Sequence, residues 1–359
     1  NALMGVVFWL LYSLQWLSYS PMFLHSHLMI GGFILAYTMG FLMTSVPRMT
    51  SSANPRKWEI NLAILLFLAF WPIGFWFSNL LDAHLAVLIT FVLYFVVSRR
   101  WTGRSIPHEY FKFIILSLCV GDLGLLLGNK WMWSFLFPLL LIVGVGARLV
   151  TGLLGYQTTS PCATVAARPN LHKKLSFQFL RNGSALKAWF KLKSTQQFCW
   201  MILVSVMMLS SVTLQLAQII LAIIFTWIAV EQWKIHQGPA SKSLLAKVLW
   251  ASLVCMFLGM WLNVGWDFFG LQLKIAGLHL IFVGGFALVT LLVATRVSLA
   301  HGGYNLAFEY QSSFFIWWAT LLLVSMALRF LGMIDIAALF WVASVAAWMS
   351  VILPRTWKW

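Results

Sequence analysis

Apolar segments close to twenty residues long follow one another along almost the whole 359-residue chain, and no other feature constrains its fold as strongly. A helix of about 20 apolar residues crosses the ~30 Å hydrocarbon core of a bilayer. The runs show none of the ten-residue alternation that marks outer-membrane barrel strands, so the spans must be helices, which satisfy their own backbone hydrogen bonds in lipid. Composition agrees: 62% of residues are hydrophobic and 9% charged, against roughly 45–50% and 25% in soluble domains. A cleaved signal peptide accounts for one apolar run, not for a series.

The runs fall at roughly 3–20, 22–46, 58–78, 81–98, 110–128, 131–155, 198–215, 217–235, 245–265, 275–298, 312–332 and 334–353, which predicts an all-α polytopic bundle of about twelve transmembrane helices. Gln215-Leu-Ala-Gln218 reads either as a tight turn or as a polar patch within one longer helix. The one long polar connection, 156–197, holds Pro161, Pro169 and the basic, aromatic stretch Leu186–Lys193, which suits a membrane surface. It divides the chain into a six-helix half over 1–155, a basic linker over 156–197 and a second six-helix half over 198–359.

Charge supplies an orientation. Arg48, Arg56 and Lys57, then Arg99, Arg100 and Arg104, then the segment from Arg168 to Lys193, then Lys234, Lys242 and Lys247 occupy alternate connections. The positive-inside rule puts these connections and both termini in the cytoplasm of a bacterial inner membrane. The net charge of +16 then follows from topology, with anionic lipid headgroups as the partner it attracts. Nucleic-acid binding explains it poorly, because the basic residues are dispersed beside several helix ends and form no single stripe. Cys119, Cys162, Cys199 and Cys255 lack metal-ligand spacing and read as reduced, structural thiols. Tryptophans such as Trp16, Trp58 and Trp101 lie near span ends, as an interfacial belt requires.

Ionisable groups in or beside apolar spans are costly enough to count as functional candidates. Of eight histidines, His108, His172 and His236 sit in basic connections and read as solvated. His25 and His27 open the second span, His84 the fourth and His279 the tenth, so four histidines from distant parts of the chain converge near the periplasmic face. Neutral imidazole is a common ligand for haem iron and copper. His25 and His27 are turned ~200° apart on an α-helix. They serve either two centres on opposite faces, or His25 lies in the turn before the helix and only His27 is helical. The plainer alternative is that these rings hydrogen-bond at the interface or cap helix ends, and that His84, beside Asp82, is simply exposed. At the cytoplasmic end stand Thr295-Arg296-Val297, His301 and Arg148. His279 and His301 are about 33 Å of helix apart and cannot share a metal. Arg148 and Arg296 suit a haem propionate, a phosphate or a carboxylate, with snorkelling to the interface as the alternative.

His25-Ser-His27 followed by Gly40-Phe-Leu-Met-Thr-Ser-Val-Pro47 resembles the opening motif of the NnrS family. His279, Gly284, Thr295-Arg296-Val297 and Leu299-Ala300-His301 resemble its C-terminal signature, and Gly146-Ala147-Arg148 its central Gly-Gly-Arg. Leu28 stands where the family usually has Glu, and Arg48 where Asn commonly follows the proline; the Pro and Phe-Thr expected after Arg148 are absent. The chain also lacks the family's opening and an initiator Met, which reads as an incomplete N-terminus. The resemblance implies a haem- and copper-containing membrane protein of the bacterial response to nitric oxide and nitrosative stress. It makes His25, His27 and His279 the first-choice ligands, His84 a further metal candidate, and Arg148, Arg296 and His301 cofactor partners. A secondary transporter is the competing expectation, since Gly31-Gly32 and Gly284-Gly285 interrupt spans in what looks like an internal repeat. A non-catalytic sensor or scaffold is the third.

Overall fold

A computed structural model of the chain describes residues 2–18, 21–105, 111–156, 214–269, 271–305, 307–308 and 312–356. The first helix, α1 (Met4–Ser13), ends where Gln15 takes a left-handed φ of 61°, well short of the predicted run to residue 20. Pro21 opens α2 (Met22–Thr50), and Ser51, with φ 51°, closes it. Within α2 the first turn, Met22–Ser26, is α-helical, His27–Ile34 is a π-helix, and Leu35–Thr50 returns to α. Then come α3 (Lys57–Trp76), α4 (Leu81–Thr102) and α5 (Phe111–Leu126). A π-helical turn, Met132–Leu136, runs into α6 (Phe137–Leu153). The described chain resumes with α7 (Leu214–Trp227), which includes Gln215 and Gln218, so the polar patch is part of a helix. It is followed by α8 (Leu244–Phe269). Helix α9 joins Leu271–His279, a π-helix over Leu280–Ala287 and Leu288–His301. The last pair is α10 (Phe314–Phe330) and α11 (Ile334–Thr356), which turn at Gly332 with φ 80°.

Among the described residues seven of these helices are long and apolar enough to cross a membrane, so the expected count of twelve is not confirmed. Three more, at Met4–Ser13, Met132–Gly146 and Phe314–Phe330, are apolar but shorter. The predicted run at 198–215 and the linker at 156–197 lie, except at their edges, outside the described residues. Ile60, Ile64, Leu65 and Leu68 of α3 are exposed, which in water would be a liability and in lipid is the expected outer face.

The helices pack through small residues and side-chain hydroxyls, as expected where lipid removes the hydrophobic drive between helices. The Ser252 hydroxyl on α8 donates to the carbonyls of Gly284, at 2.6 Å, and Gly285, at 3.1 Å. These lie in a π-helix, whose widened turn disturbs the ordinary ladder, so the serine meets groups the ladder serves poorly. A methyl added to Gly259 on α8 would sit 2.8 Å from the Gly277 carbonyl, which marks the closest backbone approach of α8 and α9.

A constant shift of 253 residues (27 to 280, 81 to 334) carries the first π-helix, His27–Ile34, onto the second, Leu280–Ala287. It also carries Gly31-Gly32-Phe33 onto Gly284-Gly285-Phe286, Leu81 onto Ile334 and Asp82 onto Asp335. The internal repeat expected from the glycine pairs therefore extends to helix type and helix boundaries. The histidines do not follow it, since the shift takes His27 to Leu280 and His25 to Leu278.

The bundle has two unlike ends. Arg48, Arg99 and Arg100 finish helices, and Arg56 and Lys57 start one, at the same end. There the Arg99 guanidinium donates to Glu59 Oε2 at 2.5 Å, with both side chains buried. Glu59 also accepts the Arg56 backbone N–H, 2.6 Å away, which caps α3. The Tyr156 hydroxyl donates to the Gly238 carbonyl, and the Ser241 N–H to the Leu154 carbonyl at 2.8 Å, which brings Lys234 and Lys242 to this basic end. The opposite end holds the starts of α2, α4 and α9.

Candidate functional site

The histidine end is built from four helices. His25 lies in the first turn of α2 and is helical, not in a turn before the helix. Its Nδ1–H donates to the Gly5 carbonyl of α1 at 2.6 Å, and its ring meets Trp9 edge-on with centroids 5.9 Å apart. A carbonyl can only accept, so the proton sits on Nδ1 and the Nε2 lone pair is left available. His279 repeats this arrangement. Its Nδ1–H donates to the Ile275 carbonyl one helical turn earlier, at 2.7 Å, and again Nε2 is left with its lone pair. Rings fixed in this way, by a hydrogen bond from the far nitrogen, have the orientation and tautomer of metal-ligating imidazoles.

The two rings lie at the same end of the bundle. His25 and His279 lie within electrostatic range of each other, and Arg329, in the last turn of α10, lies within range of both. Gly284 of α9 packs against Met326 of α10, one turn before Arg329, which is how α10 delivers the arginine to this end.

His27 goes elsewhere. Its Nδ1 lies 2.8 Å from the Phe23 carbonyl and its Nε2 2.7 Å from Asp82 Oδ1, while the Phe23 ring lies against it with centroids 4.2 Å apart. Both nitrogens are engaged, so no lone pair faces a metal. The neighbouring position, where the family pattern has a glutamate, is Leu28, and the acid comes instead from the start of α4. His25 and His27 thus meet different neighbours, α1 and α4. His84 donates through Nε2 to the Leu66 carbonyl of α3 at 2.8 Å and joins neither group.

No set of three His, Cys, Asp or Glu side chains among the described residues is arranged to hold a metal ion. Of the cytoplasmic candidates, Arg148 falls on α6, and Arg296 and His301 fall on the last turns of α9. Arg296 is 17 positions past His279, roughly 25 Å along the axis, too far to reach a group ligated by that ring. Cys119 and Cys255 are free thiols; Cys162, Cys199, His108 and His172 lie outside the described residues. Sequence reasoning missed Asp82 and Arg329. The available signal was their sign: an acid among only eight in the chain, and an arginine at the end where arginines are scarce.

Between α2, α6 and α9 lies an apolar cavity of about 340 Å³. Gly40, Phe41 and Leu42, then Gly146, then Val297 and Ser298 are among its walls, so the three sequence motifs meet here although they are far apart in the chain.

A bundle that is all-helical among the described residues, with seven helices long and apolar enough to cross a membrane, defines the class as a polytopic membrane protein. The family described as NnrS protein matches residues 1–358, and the chain belongs to that family. Membership makes it a membrane protein of the nitric oxide response at family level. No curated protein sequence matches it.

Proposed function

We propose that the protein is a haem-binding inner-membrane protein of the response to nitric oxide, in which His25 and His279 would hold the haem. One observation carries this reading: both rings have Nδ1 pinned by a backbone carbonyl and Nε2 left with its lone pair, at the same end of the bundle. The residues fit haem better than a bare copper ion. Haem iron brings four equatorial nitrogens and needs only axial protein ligands, whereas copper sites draw three or more ligands from the protein, and no such trio exists among the described residues. When bound, haem supplies an iron that takes up diatomic gases or passes electrons. The chain's own part is to hold the two imidazoles in one tautomer through Gly5 and Ile275 and to bury the rings among Trp9 and the helix starts. The basic end then faces the cytoplasm and the histidine end the periplasm.

The test is haem content after expression with ample haem. His25→Ala and His279→Ala should each lose most of the bound haem, while His27→Ala and His84→Ala retain it. Wild-type protein without haem, or haem lost only from His27→Ala, overturns the assignment.

A second reading, a transporter, is favoured by the 253-residue repeat, because the cavity walls Ala36, Tyr37, Gly40 and Phe41 match the walls Val289, Thr290, Val293 and Ala294 of the other copy. Transport sites commonly lie between repeats. Substrate uptake by proteoliposomes of haem-free protein would support it.

A further inference from the structure

The cavity between α2, α6 and α9 takes no part in the histidine site. Tyr37 lies twelve positions past His25 and Thr290 eleven past His279, roughly 15 Å along the helices. Its volume of about 340 Å³ falls in the range of small-molecule sites. Its described walls are apolar apart from four hydroxyl side chains, Tyr37, Thr38, Thr290 and Ser298. A threonine hydroxyl within a helix commonly donates to the carbonyl one turn back, as Thr44, Thr226 and Thr295 do. Thr38 and Thr290 do not, and none of the four hydroxyls has a hydrogen-bond partner among the described residues. Thr38 is only 7% exposed, yet its oxygen is not closed off within the packing, so the space it meets is the cavity. Hydroxyls left unpaired in an apolar setting are costly until something supplies an acceptor.

Two further observations point to a ligand. Tyr37 and Thr290 are equivalent under the 253-residue shift, so each copy of the repeat gives the cavity a hydroxyl from the same position. The Tyr37 ring is fixed by edge-on contacts with Phe33 and Trp348, at centroid distances of 5.3 and 6.0 Å. Gly40, also a wall, is exposed, and an added Cβ there would meet nothing within 4 Å. It therefore stands at the cavity mouth. Ten residues, roughly 15 Å of helix, separate it from the end of α2, so the mouth opens onto lipid and not onto water.

We propose that this cavity binds a quinone-class molecule, a neutral ring bearing carbonyl acceptors, which enters from the bilayer past Gly40 and accepts hydrogen bonds from the wall hydroxyls, Tyr37 and Thr290 first. A ligand that arrives through lipid is apolar and uncharged, and the described walls hold no Asp, Glu, Lys, Arg or His to pair with a charge. A lipid acyl chain satisfies the aliphatic walls but leaves the hydroxyls unpaired, whereas carbonyl oxygens accept from them. The proposal concerns binding alone and rests on neither the haem reading nor the transport reading.

The probes are duroquinone, whose fully substituted ring does not add thiols, and durene, the same methylated ring without carbonyls. Each is titrated calorimetrically into the protein in lipid nanodiscs, with empty nanodiscs as the blank. Wild type should bind duroquinone, and durene at least about tenfold more weakly. Tyr37→Phe and Thr290→Val remove a hydroxyl and keep the shape; each should weaken duroquinone about three- to tenfold and leave durene unchanged. Gly40→Leu fills the mouth and should abolish binding of both probes, while Gly40→Ala retains it. Helical circular dichroism of each variant separates loss of binding from loss of fold. Equal affinity for the two probes, with both hydroxyl variants like wild type, marks a cavity for acyl chains and overturns the proposal, as does a wild type that binds neither. The titrations run on haem-free protein, so a chain that takes no haem defeats the haem reading and still tests the cavity.

Discussion

At the scale of single residues, two ion pairs hold the ends of the bundle and differ in worth because they differ in burial. Glu59 and Arg99 are both buried, so removing one leaves the other charge without a partner. Glu59→Ala should therefore destabilise the protein by about 3–5 kcal/mol in a detergent unfolding titration. His27 is buried, but the Asp82 side chain is 46% exposed. Asp82→Ala should cost only about 1 kcal/mol, and a double-mutant cycle with His27→Ala should show coupling of similar size. Zero coupling would mean that the contact does not hold α2 to α4. Asp82 also shows why the site was only half legible in the sequence. A missing glutamate beside His27 looked like a missing partner, but hydrogen-bond partners are chosen by space and not by adjacency. The acid is supplied from 55 positions away.

At the scale of elements, a π-helix follows directly on each of the two histidine-bearing helix starts, with His25 before one and His27 its first residue, and His279 before the other. Hydropathy located the apolar runs, and most coincide with described helices, because burial in lipid demands apolar length whatever the turn geometry. It could not show that His27–Ile34 and Leu280–Ala287 are wound with an extra residue per turn, since the composition of a π-helix is that of its α-helical neighbours. His25 and Ser26 precede the first π-helix and are α-helical, so the angular separation of His25 and His27 is that of an α-helix, and the two rings part to different neighbours. Run length was also a poor guide to helix length where a residue breaks the helix, as Gln15 does after α1. Close packing makes its own prediction. Gly259→Ala sets a methyl against the Gly277 carbonyl and should cost about 1–3 kcal/mol. Gly40→Ala, with nothing within 4 Å of the added atom, should be neutral or slightly stabilising, as replacing a helical glycine usually is.

At the scale of the molecule, the two ends and the repeat organise the rest. Among the described residues the basic connections gather at one end, and His25, His27, His84 and His279 lie at the other, because alternating spans leave them no other place. Thiol labelling of intact cells should therefore reach Lys130→Cys, which lies just before the π-helical turn leading into α6 at the histidine end, but not Lys234→Cys, both made in a background without native cysteines; the reverse pattern would invert the orientation. The repeat explains the matched π-helices, while the histidines that break it mark where the two copies have diverged in use. Together these features make one claim central: His25 and His279, and not His27, form the ligand pair. Electron paramagnetic resonance of the oxidised, haem-loaded protein tests it most directly. The account predicts a low-spin signal from two axial imidazoles in the wild type and in His27→Ala, replaced by high-spin iron in any haem that His25→Ala or His279→Ala retains. A low-spin signal that survives in both of those variants, or disappears only in His27→Ala, would contradict it.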